Sequence, residues 1–205
     1  MANIDLKGSE ARLWALIEER TRVGSDTRAI DQRIWDLFGD EWAIMFTDLS
    51  GFSRQVEAFG IIHFLQIIFE QKRLLLPLVE HHDGILIKTE ADSFLLVFKQ
   101  PTAALACAIG MQRACRNHNA RRNPEEQVAL CVGIGYGRIL KIGDEDVFGH
   151  EVNLASRLGE DTARADEILL THSACTAIGD VPGVRWEERE GNFAGESSCW
   201  LASYS

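Results

Sequence analysis

The sequence predicts an α+β fold, and three observations lead to that prediction. Short apolar runs rich in β-branched and aromatic residues alternate with longer runs of helical periodicity. From Trp42 onward these runs follow the order β-α-β-β-α-β, which is the split βαβ arrangement. The 205 residues are 46% hydrophobic, which is enough for one core and does not require two full domains.

The first 40 residues are predicted to form a helical segment (1–40) that precedes a domain spanning 41–205. Leu13, Leu16 and Ile17 share one face of a first helix. Asp26 is placed to cap a second helix, which should end at Gly39. We expect this segment either to set the relative orientation of two chains or to serve as a packing cap.

The core is predicted to be ferredoxin-like, with extra strands at its C-terminal end. The predicted core strands are 42–47, 84–88, 93–98 and 128–134, and the predicted core helices lie within 53–82 and 102–117. Further strands are predicted at 137–142, 167–171, 184–189 and 198–204, with a helix at 151–160. Pro77 is expected to kink or split the helix that contains it.

Charge and composition exclude several classes of function. The formal net charge of -10 disfavours a nucleic-acid partner, because neutralising phosphates requires an excess of Lys and Arg. The basic cluster at 113–122 is interpreted as solvated charge at a helix end. Five scattered cysteines without a C-x-x-C pair do not form a zinc motif or a disulfide framework. No membrane segment or signal peptide is predicted, so we expect a cytoplasmic protein.

Two aspartates are predicted to converge at one end of the sheet. Asp48 ends the first strand, in the stretch IMFTDLSGFS, and Asp92 lies in the tight connection between the second and third strands. We expect both of those strands to neighbour the first. Carboxylates suit Mg²⁺ or Mn²⁺, and two such ions roughly 3.5 to 4 Å apart form a clamp for phosphoryl chemistry. Gly51 would then let backbone N–H groups approach phosphate oxygens. Either aspartate alone is explained equally well as a cap or a turn residue.

Three stretches resemble the signature segments of class III nucleotide cyclases, in the same order. They are FTDLSGF (46–52), IKTEADSFLLVF (87–98) and DVFGHEVNLASRL (146–158), and the resemblance covers residues 42–175. Members of this family cyclise a nucleoside triphosphate to a 3′,5′-cyclic nucleotide and pyrophosphate. They do so on a dimer whose active sites lie at the subunit interface.

The resemblance implies a role for each matching residue. Two divalent metal ions (Mg²⁺ or Mn²⁺) would be held by Asp48, Asp92 and the carbonyl of Leu49. The substrate would be bound by Gly51, Phe52, Lys88 and Asp146, the last two reading an adenine base. Asn153 and Arg157 would orient the ribose and stabilise the pentavalent phosphorus.

General chemistry supports the last pair and leaves alternatives open. Asn153 and Arg157 are four residues apart, so on a helix they share one face. Arginine offers a planar, permanently charged fork for a phosphoryl group that gains charge. Alternatively, Arg157 is a surface residue paired with Glu160 or Asp161. Lys88 and Asp146 are equally ordinary as exposed loop or hairpin residues, and only one histidine, His150, lies near a motif.

Three features depart from the family pattern. Ala91 stands where the family usually has glycine before the second aspartate, and the hairpin after GIGYGRILKIG (133–143) is shorter than usual. The family commonly has a triphosphate-binding lysine near the C-terminus, but here no Lys or Arg follows Arg189. Arg185 and Arg189 are candidate replacements.

The leading prediction is a homodimeric adenylate cyclase that converts ATP to cyclic AMP. The first alternative is a cyclase for another base such as GTP, and Glu90 beside the hairpin keeps this alternative open. A second alternative is a non-catalytic or weakly active nucleotide-binding module with the same fold. A third, a polymerase-like or dinucleotide-cyclase palm domain, lacks a G-G-D-E-F-like turn.

Overall fold

The computed structural model describes residues 8–193 and 195–204, apart from the side chains of 52–55. The α-helices are α1 (Gly8–Thr21), α2 (Thr27–Phe38), α3 (Phe52–Phe59), α4 (Ile61–His81), α5 (Pro101–Asn119), α6 (His150–Ser156) and α7 (His172–Ile178). The strands are β1 (Gly39–Leu49), β2 (Ile85–Glu90), β3 (Ser93–Phe98), β4 (Leu130–Ile142), β5 (Asp146–Phe148), β6 (Ile168–Leu170), β7 (Val184–Phe193) and β8 (Glu196–Tyr204). A 3₁₀ turn (Pro124–Glu126) precedes β4, and a π-helical turn (Arg157–Thr162) continues α6.

One mixed sheet organises the molecule. Its strand order is β2-β3-β1-β4-β6-β8-β7, with the short β5 paired to β4. The first four strands and their helices form the predicted βαββαβ core, and the extra C-terminal strands are also confirmed. The expectation that both hairpin strands neighbour the first strand is wrong for β2. Only β3 pairs with β1, with Thr47 opposite Phe94, because β2 lies outside β3 at the sheet edge.

Both faces of the central strands are buried. On β1, Ala43 and Met45 belong to the large core cluster, to which α4, α5 and α7 also contribute. Ile44, which points to the opposite face, packs in a smaller cluster with Val152 and Ala155 of α6. This alternation has the period of two expected of a strand covered on both sides.

β4 is one continuous strand, whereas the sequence predicts two strands with a break near Gly135. It runs antiparallel to the whole of β1, from the pair Gly39–Leu140 to the pair Leu49–Leu130. The glycine has a packing role instead, because a Cβ at position 135 would lie 2.6 Å from the carbonyl oxygen of Glu151. The absence of a side chain lets α6 approach the sheet closely.

The N-terminal helices pack on the far end of β4. Asp26 caps α2 as predicted, accepting a hydrogen bond from the Ala29 backbone N–H at 3.1 Å, and the helix ends before Gly39. Leu13, Leu16, Ile30 and Ile34 form a buried cluster with Ile142. In the described part of the chain, no helix is both long and apolar enough to cross a membrane.

Pro77 does not split its helix. α4 continues from Ile61 to His81 with Pro77 inside it. Leu75 and Val79, on either side of the proline, are buried in the core. This burial outweighs the hydrogen bond that a proline removes from a helix.

Candidate active site

The two predicted metal-binding aspartates lie side by side at the end of β1. Asp48 is the penultimate residue of β1, and Asp92 occupies the turn between β2 and β3. The Ser93 hydroxyl donates a hydrogen bond to Asp48 Oδ1 at 3.0 Å, which ties the turn to the end of β1. The pairing of β3 with β1 therefore brings together two carboxylates that are distant in sequence.

The ionisation of this pair shows how close the two groups are. Burial raises the pKa of Asp48 to about 6, and the negative charge of Asp92 adds to the rise. Burial also raises the pKa of Asp92. The backbone N–H of Leu49 opposes the rise in the pKa of both carboxyl groups, so both lie beside this one backbone group.

The arrangement fits a divalent cation. Asp92 is 7% exposed, and its Oδ2 atom is buried without a hydrogen-bond donor among the described residues. A buried carboxylate oxygen left in this state is costly unless a cation or a proton satisfies it. No group of three or more His, Cys, Asp or Glu side chains that could bind a metal occurs in the described regions. The two carboxylates would therefore share their ions with backbone oxygens, water or a substrate phosphate.

The turn that carries Asp92 is strained at the position where the family usually has glycine. Ala91 has φ +50°, in the left-handed region that a side chain disfavours. At the other end of the site, Gly51 precedes α3 with φ +89°, which glycine adopts without strain. Phe52 begins α3, and its side chain lies outside the described part of the structure.

We expect Ala91→Gly to stabilise the protein. Relief of the strained φ should raise the free energy of unfolding by about 1 kcal/mol, or the thermal midpoint by about 2–4 °C. Ala106→Gly is the control, because this exposed position inside α5 should lose about 1 kcal/mol. Thermal unfolding of both variants tests the prediction, and a midpoint for Ala91→Gly at or below wild type would contradict it.

The two predicted base-reading residues contact each other. Lys88 Nζ donates to Asp146 Oδ2 at 2.6 Å, with both side chains about one-third exposed. A bulge between Leu86 and Lys88 shifts the register of β2 against β3, and bulges of this kind re-aim side chains. The pair borders a cavity of about 170 Å³, whose apolar residues are Phe46, Leu95, Val147 and Val152. Ser93 also lines this cavity, which therefore adjoins the aspartate pair.

Asn153 and Arg157 line a second, larger cavity of about 850 Å³. α6 carries Asn153, and the π-helical turn begins at Arg157. The turn lies directly against the sheet at Gly159, where a Cβ would come within 2.8 Å of the Phe46 carbonyl oxygen. Arg157 is 4.0 Å from Asp161, and both side chains are more than 60% exposed. Exposed pairs of this kind contribute about 0–1 kcal/mol, so Arg157 is available to a ligand.

Comparison with known proteins identifies the family. Residues 38–193 match the adenylate and guanylate cyclase catalytic domain family. The chain belongs to this family. As a cyclase domain it is 29% identical over 163 residues to an adenylate cyclase of Streptomyces coelicolor, covering 75% of this chain and 39% of that protein. It is 28% identical over 130 residues to the serine/threonine-protein kinase pkn2 of Myxococcus xanthus, covering 63% of this chain and 15% of that protein.

The fold comparison agrees. The crystal structure of an adenylate/guanylate cyclase/hydrolase from Silicibacter pomeroyi superposes with a TM-score of 0.71 at 23% identity, covering 82% of this chain and 98% of that chain. The two curated relatives are much longer than their matched regions, so this cyclase domain corresponds to less than half of either protein.

The structure does not place either candidate C-terminal arginine in the cavity of Arg157. Arg189 is held by Glu167 through two hydrogen bonds of 2.9 and 2.8 Å. Arg185 lines a different groove together with Arg116. At the hairpin between β7 and β8, the cyclase domain instead contributes Asn192 and Gly195 to the lining of the Arg157 cavity. His150 also lines that cavity and lies 3.5 Å from Glu196.

Several of these residues are missed by the sequence analysis. Ser93 is part of the second signature segment, but only the β1–β3 register shows that it bonds Asp48. Asn192 and Gly195 lie in a glycine-containing hairpin, which is a general signal for a turn and not for a binding site.

Proposed function

We propose that the domain converts ATP to 3′,5′-cyclic AMP and pyrophosphate. The observation that supports this most strongly is the convergence of Asp48 and Asp92, with one buried oxygen unsatisfied, beside the cavity of Lys88 and Asp146. A rigid strand end and a tight turn hold this pair, as positioning for phosphoryl chemistry requires.

In the proposed reaction, the ribose 3′-oxygen forms a bond to the α-phosphorus while the bond from that phosphorus to the β-phosphate oxygen breaks. The proton of the 3′-hydroxyl passes to solvent, and pyrophosphate leaves with the electron pair. When bound, two divalent ions lower the pKa of the 3′-hydroxyl and neutralise charge on the triphosphate. Asp48 and Asp92 hold these ions, together with the Leu49 carbonyl.

The remaining site residues bind and orient the nucleotide. Lys88 and Asp146 present a donor and an acceptor 2.6 Å apart at the mouth of an apolar cavity, which suits the edge of a purine. Arg157 stabilises charge that develops on the phosphorus oxygens, and Asn153 orients the ribose. Gly51 and Phe52, at the start of α3, lie where backbone N–H groups can approach phosphate.

We further propose that the active unit is a homodimer. The cavity lined by Asn153 and Arg157 includes neither Asp48 nor Asp92 among its described residues. A second copy would supply the carboxylates to a nucleotide bound at Lys88, Asp146, Asn153 and Arg157, as the family resemblance implies.

A second candidate function is a nucleotide-binding regulatory module with the same fold. It is favoured by the lack of a C-terminal cation in the Arg157 cavity, since Arg189 is paired with Glu167 and Arg185 lies elsewhere. A binder that does not turn over substrate has less need of a cation on the triphosphate.

Product analysis distinguishes the two functions. Purified protein is incubated separately with ATP, GTP, CTP and UTP in the presence of Mn²⁺, and products are identified by mass. We expect cyclic AMP, with GTP converted at least about tenfold more slowly, because Lys88 and Asp146 present a pattern suited to adenine. A cyclic product from GTP alone would overturn the base assignment. No cyclic product from any nucleotide would favour the regulatory module.

A further inference from the structure

A buried glutamine interrupts the apolar face of α4. The other buried residues of this helix are Phe64, Ile67, Leu75 and Val79, which follow the helical repeat. Gln71 occupies the middle of the same stripe and is 0% exposed. An apolar side chain here would bury the same face without the cost of desolvating an amide. The glutamine therefore calls for an explanation other than core packing.

Gln71 reaches the turn that carries the second aspartate. Its Nε2 atom donates a hydrogen bond of 2.7 Å to the backbone carbonyl of Asp92. Its Oε1 atom is buried and has no hydrogen-bond partner within the described part of the chain. An unsatisfied buried acceptor costs about 1–3 kcal/mol, so stability alone does not favour this side chain.

The turn held by this bond is strained. Ala91, immediately before Asp92, has φ +50°. Such backbone conformations persist only where the surroundings enforce them. A hydrogen bond from a fully buried side chain on a long helix provides that constraint at the adjacent peptide.

We propose that Gln71 is a positioning residue for the metal-binding carboxylate of Asp92. It touches neither nucleotide nor ion and acts through the Asp92 backbone, so that the side chain points at the ion that it shares with Asp48. This inference rests on the proposed function, in which those two aspartates bind divalent cations.

The test compares two buried glutamines that have the same chemistry. Gln112 on α5 is also 0% exposed, donates through Nε2 to a backbone carbonyl (Leu130, 3.0 Å), and has an unsatisfied Oε1. Gln71→Met and Gln112→Met are titrated with Mn²⁺ in the presence of a non-hydrolysable ATP analogue, and free Mn²⁺ is measured by electron paramagnetic resonance. Thermal unfolding without metal and the Mn²⁺ dependence of turnover complete the comparison.

We expect Gln71→Met to weaken Mn²⁺ binding by about 10- to 100-fold, the usual effect of losing a residue that orients a metal ligand. The Mn²⁺ concentration for half-maximal turnover should rise in parallel. Gln112→Met should bind Mn²⁺ within about twofold of wild type, because the carbonyl that it loses belongs to no proposed ligand. If Gln71→Met does not fold, Gln71→Glu keeps the shape, removes the donor and should show the same loss.

Two results would overturn the inference, and they are distinguishable. Equal Mn²⁺ binding by wild type and a folded Gln71 variant would remove the positioning role and leave the proposed function intact. A wild-type protein that neither binds Mn²⁺ with the ATP analogue nor cyclises any nucleotide would refute the proposed function, and the inference with it.

Discussion

Asp48→Asn is expected to abolish cyclisation while stabilising the metal-free protein. Loss of one of the two carboxylates should lower turnover with saturating ATP and Mn²⁺ by about a thousandfold or more. The amide cannot replace a charged ligand, although it can still accept the hydrogen bond that Ser93 donates to Asp48 Oδ1. Turnover is measured as cyclic AMP formed per chain.

The stability change has the opposite sign because the native carboxyl group is unfavourably placed without metal. Its pKa is raised from 3.8 to about 6 in the folded state, by burial and then by Asp92. A raised folded-state pKa contributes stability that is fully present below pH 3.8 and is lost as the pH rises through 6. At pH 7.5 the wild type has lost this contribution, whereas the amide never ionises.

The gain should amount to about 1 kcal/mol, or about 2–4 °C in thermal midpoint, because solvent at this half-buried site reduces the full effect of the pKa shift. It should disappear below about pH 4, where both proteins are uncharged at this position. Mn²⁺ with an ATP analogue should then stabilise the wild type but not the variant.

Asp144→Asn is the control for this prediction. Asp144 is a 74% exposed carboxylate paired with Lys141, and its loss should change activity and thermal midpoint little. A fully active Asp48→Asn protein would remove Asp48 from the reaction. A less stable Asp48→Asn protein at pH 7.5 would show that the carboxylate serves a structural role.

The convergence of the two aspartates could be predicted from sequence because it depends on topology. The order of strands and helices specifies a split βαβ core, and in that core the turn after the second strand lies beside the end of the first. The alternation of apolar residues along β1 indicates the buried strand that aims Asp48. A local pattern was enough, because strand pairing supplied the long-range contact.

The features that sequence reasoning missed depend on close approach between elements. Gly135 resembles a strand break, yet it is glycine because α6 leaves no room for a side chain. Gln71 is visible as a polar residue within an apolar helical stripe, but the sequence does not reveal that the Asp92 carbonyl lies within its reach. Arg189 cannot be recognised as occupied until β7 is placed beside Glu167.

Arg157→Ala is expected to lower kcat by about 100- to 1000-fold and to leave the KM for ATP nearly unchanged. Its guanidinium is exposed and only loosely paired with Asp161, so little of the folded state depends on it. Its interaction with the phosphorus oxygens should strengthen as charge develops, which affects the transition state more than substrate binding. Arg185→Ala is the control, because Arg185 lines a different groove and should retain full activity.

Mixing the two inactive chains tests where the second set of residues comes from. If the carboxylates of one copy act with Arg157 of another, Asp48→Asn and Arg157→Ala chains form heterodimers with one intact site each. Random pairing at equal concentrations makes half of the dimers heterodimers, so about a quarter of wild-type activity should return. If the mixed chains form dimers and show no recovery, each copy uses its own Arg157, and the proposed interfacial site is wrong.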